Sequence, residues 1–156
     1  MDPGETRRMA ASWGDFESTA PAMAAFGKDR IDGKVAYLAT VRRDGSPKTH
    51  PVTPIIGEGY CFLFVEPTSR KVHDLKDNGL YCLHCSMSDS SGSSGEFQIS
   101  GFAQLIDDAE MRLRAENVCS FRPAERALLF ELKIEEVVST LYKGGRPDRK
   151  VWKADS

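Results

Sequence analysis

Ser69, Arg70 and Lys71 stand where an apolar, strand-like run, Phe62-Leu-Phe-Val65, passes through the turn Glu66-Pro-Thr68 into a short helical pattern. A helix carries positive potential at its N-terminus, so two adjacent cations in the first turn are unfavourable unless an anion neutralises them. Free backbone N–H groups, a hydroxyl, a guanidinium fork and an ammonium together form the donor set of a phosphate-monoester site. The same tripeptide also fits a plain N-cap serine followed by two solvated cations. The rest of the chain has to decide between them.

Other residue types with chemical potential carry weaker signals. Cys82-Leu-His-Cys85 has the spacing of a redox or zinc motif, but it lies in Leu80–Met87, which reads as a strand. Residues three apart on a strand point to opposite faces, so the sulfurs diverge. The sequence holds no second C-x-x-C and no H-x-x-x-H to complete a zinc site, and the four cysteines read as structural thiols with no metal expected. His50 sits between Thr49 and Pro51 on a strand-like segment, where it fits either an anion donor or a histidine bonded to backbone or solvent. His73 reads as a surface residue of the short helix, and His84 as core or interface.

The elements that must position these groups can be read in order. Residues 1–11 are charged, carry Pro and Gly without apolar period, and are expected to be disordered ahead of a single domain over 12–156. Ser12-Trp-Gly-Asp15 resembles a capping box, and Pro21 is expected either to kink the helix that follows or to restart it as a second one. Lys34–Val41 reads as a strand, Arg43-Asp-Gly-Ser46 as a hairpin turn, and Thr49–Ile56 as a return strand that Pro51 and Pro54 confine to an edge or a bend. Strand Tyr60–Val65, the short helix Ser69–Asn78 and strand Leu80–Met87 follow. A Ser/Gly-rich stretch, 88–95, reads as a flexible loop, and strand Glu96–Ile106 carries Gly101 at a bulge or close contact. Asp107 and Asp108 cap a helix to about Val118, a second short helix is expected after Pro123, and Leu129–Lys143 is the last strand. Antiparallel hairpins with only short helical crossings predict a mainly β fold, a mostly antiparallel barrel with flanking helices.

Composition limits the function classes. A chain of 156 residues with 40% hydrophobic and 28% charged content is that of an ordinary globular domain. A net charge of −2 argues against a nucleic-acid binder, and no run approaches the length of a membrane span. The N-terminus lacks the apolar core of a signal peptide, so a cytoplasmic protein is expected. Neither a G-x-G-x-x-G nor a P-loop is present.

Three segments in order, Ala39-Thr-Val-Arg-Arg-Asp-Gly-Ser-Pro-Lys-Thr-His-Pro-Val52, Ser69-Arg-Lys-Val-His-Asp-Leu-Lys-Asp-Asn78 and Gly95-Glu-Phe-Gln-Ile-Ser-Gly101, resemble the pyridoxamine 5′-phosphate oxidase-like family of FMN-binding split barrels. The resemblance runs from about residue 33 to 142 and implies a split β-barrel that dimerises with FMN at the subunit interface. It implies that Ser69, Arg70 and Lys71 hold the flavin 5′-phosphate. It also implies that the strand His50-Pro51-Val52-Thr53 lies beneath the isoalloxazine ring, and that Phe64 and Val65 touch the cofactor. Glu96 matches a position near the ring that often holds Gln, although a carboxylate there would repel a reduced, anionic flavin. Trp152, near the C-terminus, fits either a cover over the partner subunit's flavin or simple packing.

Departures from the vitamin B6 oxidases proper are equally informative. Those enzymes carry Arg where this chain has His50 and Lys where it has Ile55, and they end in a basic Arg-Leu-x-Pro segment that is absent here. The expectation is therefore an FMN-dependent oxidoreductase that takes a small-molecule substrate or a nicotinamide reductant, and not a pyridoxamine phosphate oxidase. No general acid or base is identifiable. Two alternatives stand beside it: a reductase using the deazaflavin F420, whose anionic tail Arg42, Arg43 and Lys48 would line, and a non-enzymatic flavin or haem binder with His50, His73 or His84 as axial ligand.

Overall fold

The computed structural model describes residues 9–154. The described residues begin with two helices, α1 (Trp13–Thr19) and α2 (Pro21–Ile31). The capping box forms as read: Ser12 Oγ accepts from Asp15 N and Asp15 Oδ2 from Ser12 N, both at 3.1 Å. Pro21 occupies the first position of α2, where its missing N–H costs nothing, so the proline restarts the helix instead of kinking it. Of the segment expected to be disordered, residues 1–8 lie outside the described residues. Ala11, which was included in that segment, exchanges two 2.8 Å backbone bonds with Ile134.

The strands follow as β1 (Ala36–Val41), β2 (Pro47–Val52), β3 (Ile55–Gly57) and β4 (Tyr60–Val65). Helix α3 (Arg70–Asp77) then precedes β5 (Leu80–Cys85) and β6 (Glu96–Ile106), and helix α4 (Ala109–Val118) precedes β7 (Leu128–Lys143) and β8 (Arg146–Lys153). All pairings are antiparallel, in the order β2-β1-β5-β6-β7-β4-β3, with β8 alongside β7. The two ends of that order, β2 and β3, are joined through Thr53-Pro54, so the sheet curls back on itself as a barrel that stays split at this seam. Pro51 and Pro54 explain the split: a single return strand was expected, and the prolines break it into two edge strands.

The barrel interior is filled by Leu38, Leu63, Val65, Leu83, Ile99, Phe130, Leu132 and Val137, with Trp13 and Phe16 of α1 packed into it. Helix α4 covers the outer face of β3 and β4, where Ile55, Phe62 and Leu129 meet Ala115. At Gly101 the β6–β7 register shifts, and a side chain there would run into Lys133 O, so the glycine is both bulge and close contact, as read.

Two expectations are corrected. No helix follows Pro123; residues 124–127 make one turn closed by Ala127 N to Ala124 O at 3.0 Å. Leu129–Lys143 is not the last strand: Arg146–Lys153 form β8, paired along β7 through a tight turn with Gly144 and Gly145 at φ 59° and 79°. The Ser-rich loop is internally tied: Asp89 accepts from Ser91, Ser93 and Ser94, and Arg30 donates to Ser86 O, Ser94 O and Gly95 O.

Candidate functional site

Helix α3 packs against β1, β5 and β6, with Val72 and Leu75 buried in the core and Arg70 and His73 exposed. Its N-cap residue is Ser69, as expected, but the hydroxyl does not cap the helix. Ser69 Oγ accepts instead from Lys71 Nζ at 2.7 Å. The first-turn N–H groups therefore receive no side-chain acceptor, which leaves the positive helix end unneutralised. Burial pushes the Lys71 ammonium below its ordinary range, and no carboxylate pairs with it or with Arg70 among the described residues.

His50 reaches the same corner from β2. It pairs across from Leu38, which places its side chain on the inner face of this edge strand, and its Nε2 lies 3.1 Å from Thr40 Oγ1. Thr40 is fully buried and donates to Asp74 Oδ2 of α3 at 2.8 Å. Desolvation first, then the Lys71 ammonium, hold His50 below its usual range; Asp74 pulls the other way and Arg42 adds to the depression. The net field on the imidazole is that of an excess of cations.

The structure brings Ser69, Lys71 and His50 to one corner, with Arg70 exposed next to Lys71 in the first turn of α3. Val52 points inward beside His50, Pro51 faces outward opposite Tyr37, and Thr53 lies in the β2–β3 link. Val65 belongs to the barrel core, whereas the adjacent Phe64 points outward beneath the Arg112 guanidinium, 5.4 Å from its ring centre. Glu96 lies elsewhere, on the open outer face of the sheet, where it holds His84 Nε2 at 3.0 Å. Trp152 packs edge-on against Phe16 at 5.1 Å and donates to Thr19 Oγ1 at 2.9 Å.

Of the residues considered for a longer anionic tail, Arg43 is paired with Asp77 at 2.9 Å, and Lys48 is solvated. Cys85 is buried and accepts from Phe97 N, while Cys82 sits half-exposed on the other face of β5, so the two sulfurs diverge as read. Thr40 and Asp74 were not singled out from sequence. Thr40 lay within the quoted hairpin, but an aspartate in a charged helix gives no sign that it turns inward.

No protein-family model matches the chain, and no curated protein sequence matches it. Among solved structures it is similar to a heme binding protein from Mycobacterium smegmatis, 18% identical, with a TM-score of 0.62 over 81% of this chain. The chain spans only 57% of that protein's length. It is similar to a NimC/NimA family protein from Clostridium acetobutylicum, 14% identical, TM-score 0.65, covering 89% of this chain and 96% of that one. ChuZ from Campylobacter jejuni is 11% identical, TM-score 0.68, covering 88% of this chain and 60% of its own. The fold is a mostly antiparallel split β-barrel with flanking helices.

Proposed function

We propose that this chain binds FMN through its 5′-phosphate at the start of α3 and acts, as a homodimer, as an FMN-dependent oxidoreductase. One observation carries the reading. Lys71 is a half-buried ammonium whose hydrogen bond goes to a neutral hydroxyl, beside an exposed arginine and an uncapped helix end. That arrangement is unfavourable alone and favourable around a dianion.

FMN, when bound, supplies hydride or electron transfer. The chain's own residues bind and orient it: Arg70 and Lys71 donate to the phosphate, and the β2 edge at His50–Val52 offers backbone groups. The homodimer reading draws on the outer face of β1, β5 and β6, where Tyr37 is 46% exposed and no helix packs among the described residues. Flavin absorbance in the purified protein, FMN released on denaturation, and bleaching by NADH or NADPH are the expected results. Flavin that no nicotinamide or other reductant bleaches would leave a carrier and not an oxidoreductase.

A second reading, haem binding, is favoured by the mycobacterial neighbour alone. His84 has both ring nitrogens engaged, by Cys85 O at 2.6 Å and Glu96 at 3.0 Å, so it is poorly placed to ligate iron. A Soret band in the purified protein would favour this reading over the first.

A further inference from the structure

We propose that Thr40 and Asp74 are positioning residues that turn His50 into a proton-accepting ligand, so that a phosphate monoester enters the corner together with one proton. The proposal rests on the phosphate reading above and adds a relay, His50–Thr40–Asp74, that spans β2, β1 and α3.

The donor count fixes the relay's direction. Thr40 has one hydroxyl hydrogen, and the carboxylate of Asp74 can only accept. Thr40 therefore donates to Asp74 at 2.8 Å, and its oxygen is left to accept from His50 Nε2–H at 3.1 Å. This assigns the neutral imidazole its tautomer and leaves Nδ1 as the atom that can take a proton. Thr40 is fully buried and Asp74 is 8% exposed, so water competes little for the bond between them.

The charged groups facing His50 are Lys71 and Asp74 of α3 and Arg42 at the end of β1. Without an anion the two cations and burial disfavour an imidazolium. A phosphate dianion beside Arg70 and Lys71 reverses the sign of the field. The imidazole then takes one proton from solvent at Nδ1, no other bond changes, and the positive charge is shared through Thr40 with Asp74. A histidine in this place makes capture of the phosphate proton-coupled, which an arginine would not.

The test uses the full-length protein, FMN and riboflavin, with calorimetry in two buffers of different ionisation enthalpy. Between pH 8.5 and 6.5, above the second ionisation of the phosphate at about 6, wild-type affinity for FMN is expected to tighten at least threefold. Proton uptake should accompany FMN binding, and riboflavin binding should show neither effect. His50→Gln should abolish the uptake and flatten the profile while FMN still binds. Thr40→Val, which keeps the volume, and Asp74→Asn should each lower the uptake at pH 7.5 by half or more. Nitrogen NMR of the ligand-free wild type supplies a readout independent of any variant's folding, and the expected form is Nε2–H. A Nδ1–H form, or FMN bound at pH-independent affinity without proton uptake, overturns the relay and leaves the phosphate reading standing. Failure of the wild type to bind FMN at any pH overturns that reading and this proposal together.

Discussion

Lys71 Nζ donates to Ser69 Oγ at 2.7 Å across the first turn of α3, so the serine at the helix start serves a side chain and not the helix. A side-chain N-cap is normally worth about 1 kcal/mol, and here that bond is not made. The two roles open to Ser69 separate on this point.

Ser69→Ala should accordingly change the folding stability by no more than the scatter of surface substitutions, about 0.5 kcal/mol, while weakening FMN binding roughly fivefold, in line with one lost polar contact. Thermal melts and flavin titration check both halves. A stability loss near 1 kcal/mol with unchanged FMN affinity would return the serine to an ordinary cap.

Arg70→Ala combined with Lys71→Ala should leave a folded protein and reduce FMN affinity more than about 100-fold, because two charge-assisted hydrogen bonds are each worth about 1.5–3 kcal/mol. Folding should survive because Arg70 is exposed and Lys71 bonds only to Ser69 among the described residues. Circular dichroism and fluorescence titration of FMN measure the two properties separately.

Trp152→Ala should destabilise the protein by about 2 kcal/mol, since the ring packs on Phe16 and its N–H bonds Thr19, which pins β8 to α1. FMN affinity of the folded protein should change less than threefold. A large loss of FMN affinity at unchanged stability would instead place this tryptophan over a partner's cofactor.

Glu131 gives a pH-dependent stability effect. It is 4% exposed, its Oε2 is 3.6 Å from Lys133 Nζ, and desolvation raises its pKa against the opposing pull of that lysine. A raised carboxyl binds its proton more tightly folded than unfolded, so its contribution is fully present below the unfolded value and is lost as pH rises through the folded one. Glu131→Gln should be more stable than wild type at pH 7.5, with the advantage vanishing near pH 4. Melting curves at the two pH values decide it. A variant less stable at pH 7.5 would mean that the pairing with Lys133 outweighs desolvation.

The hairpin Asp44-Gly45, the α3 start and the Gly101 bulge were legible because local chemistry dictates them: a turn needs its residues whatever surrounds it. Strand β8 was not, because Arg146–Lys153 is an edge strand with most residues exposed, so it carries little apolar alternation and tolerates Pro147. The expected helix after Pro123 failed for the opposite reason. Its residues have tolerable helix propensity, but Arg112 draws the Ala124 and Ala127 carbonyls to itself, and the segment ends at a strand. Ser69, Arg70, Lys71 and His50 could be named from sequence as separate anion-seeking groups. The convergence of Ser69, Lys71 and His50 with Thr40 and Asp74 could not, because it depends on how α3 packs against β1, β5 and β6. Phe64 and Val65 show the same limit, since adjacent strand residues must face opposite ways and only the register says which one is inside.

The most direct measurement compares FMN with riboflavin, which has the same ring and lacks the phosphate. Binding of FMN should be more than about 100-fold tighter at pH 7, with the difference erased in the Arg70→Ala, Lys71→Ala double variant. Equal affinities for the two flavins, or a preference for FMN that survives in the double variant, would contradict a phosphate site at the start of α3.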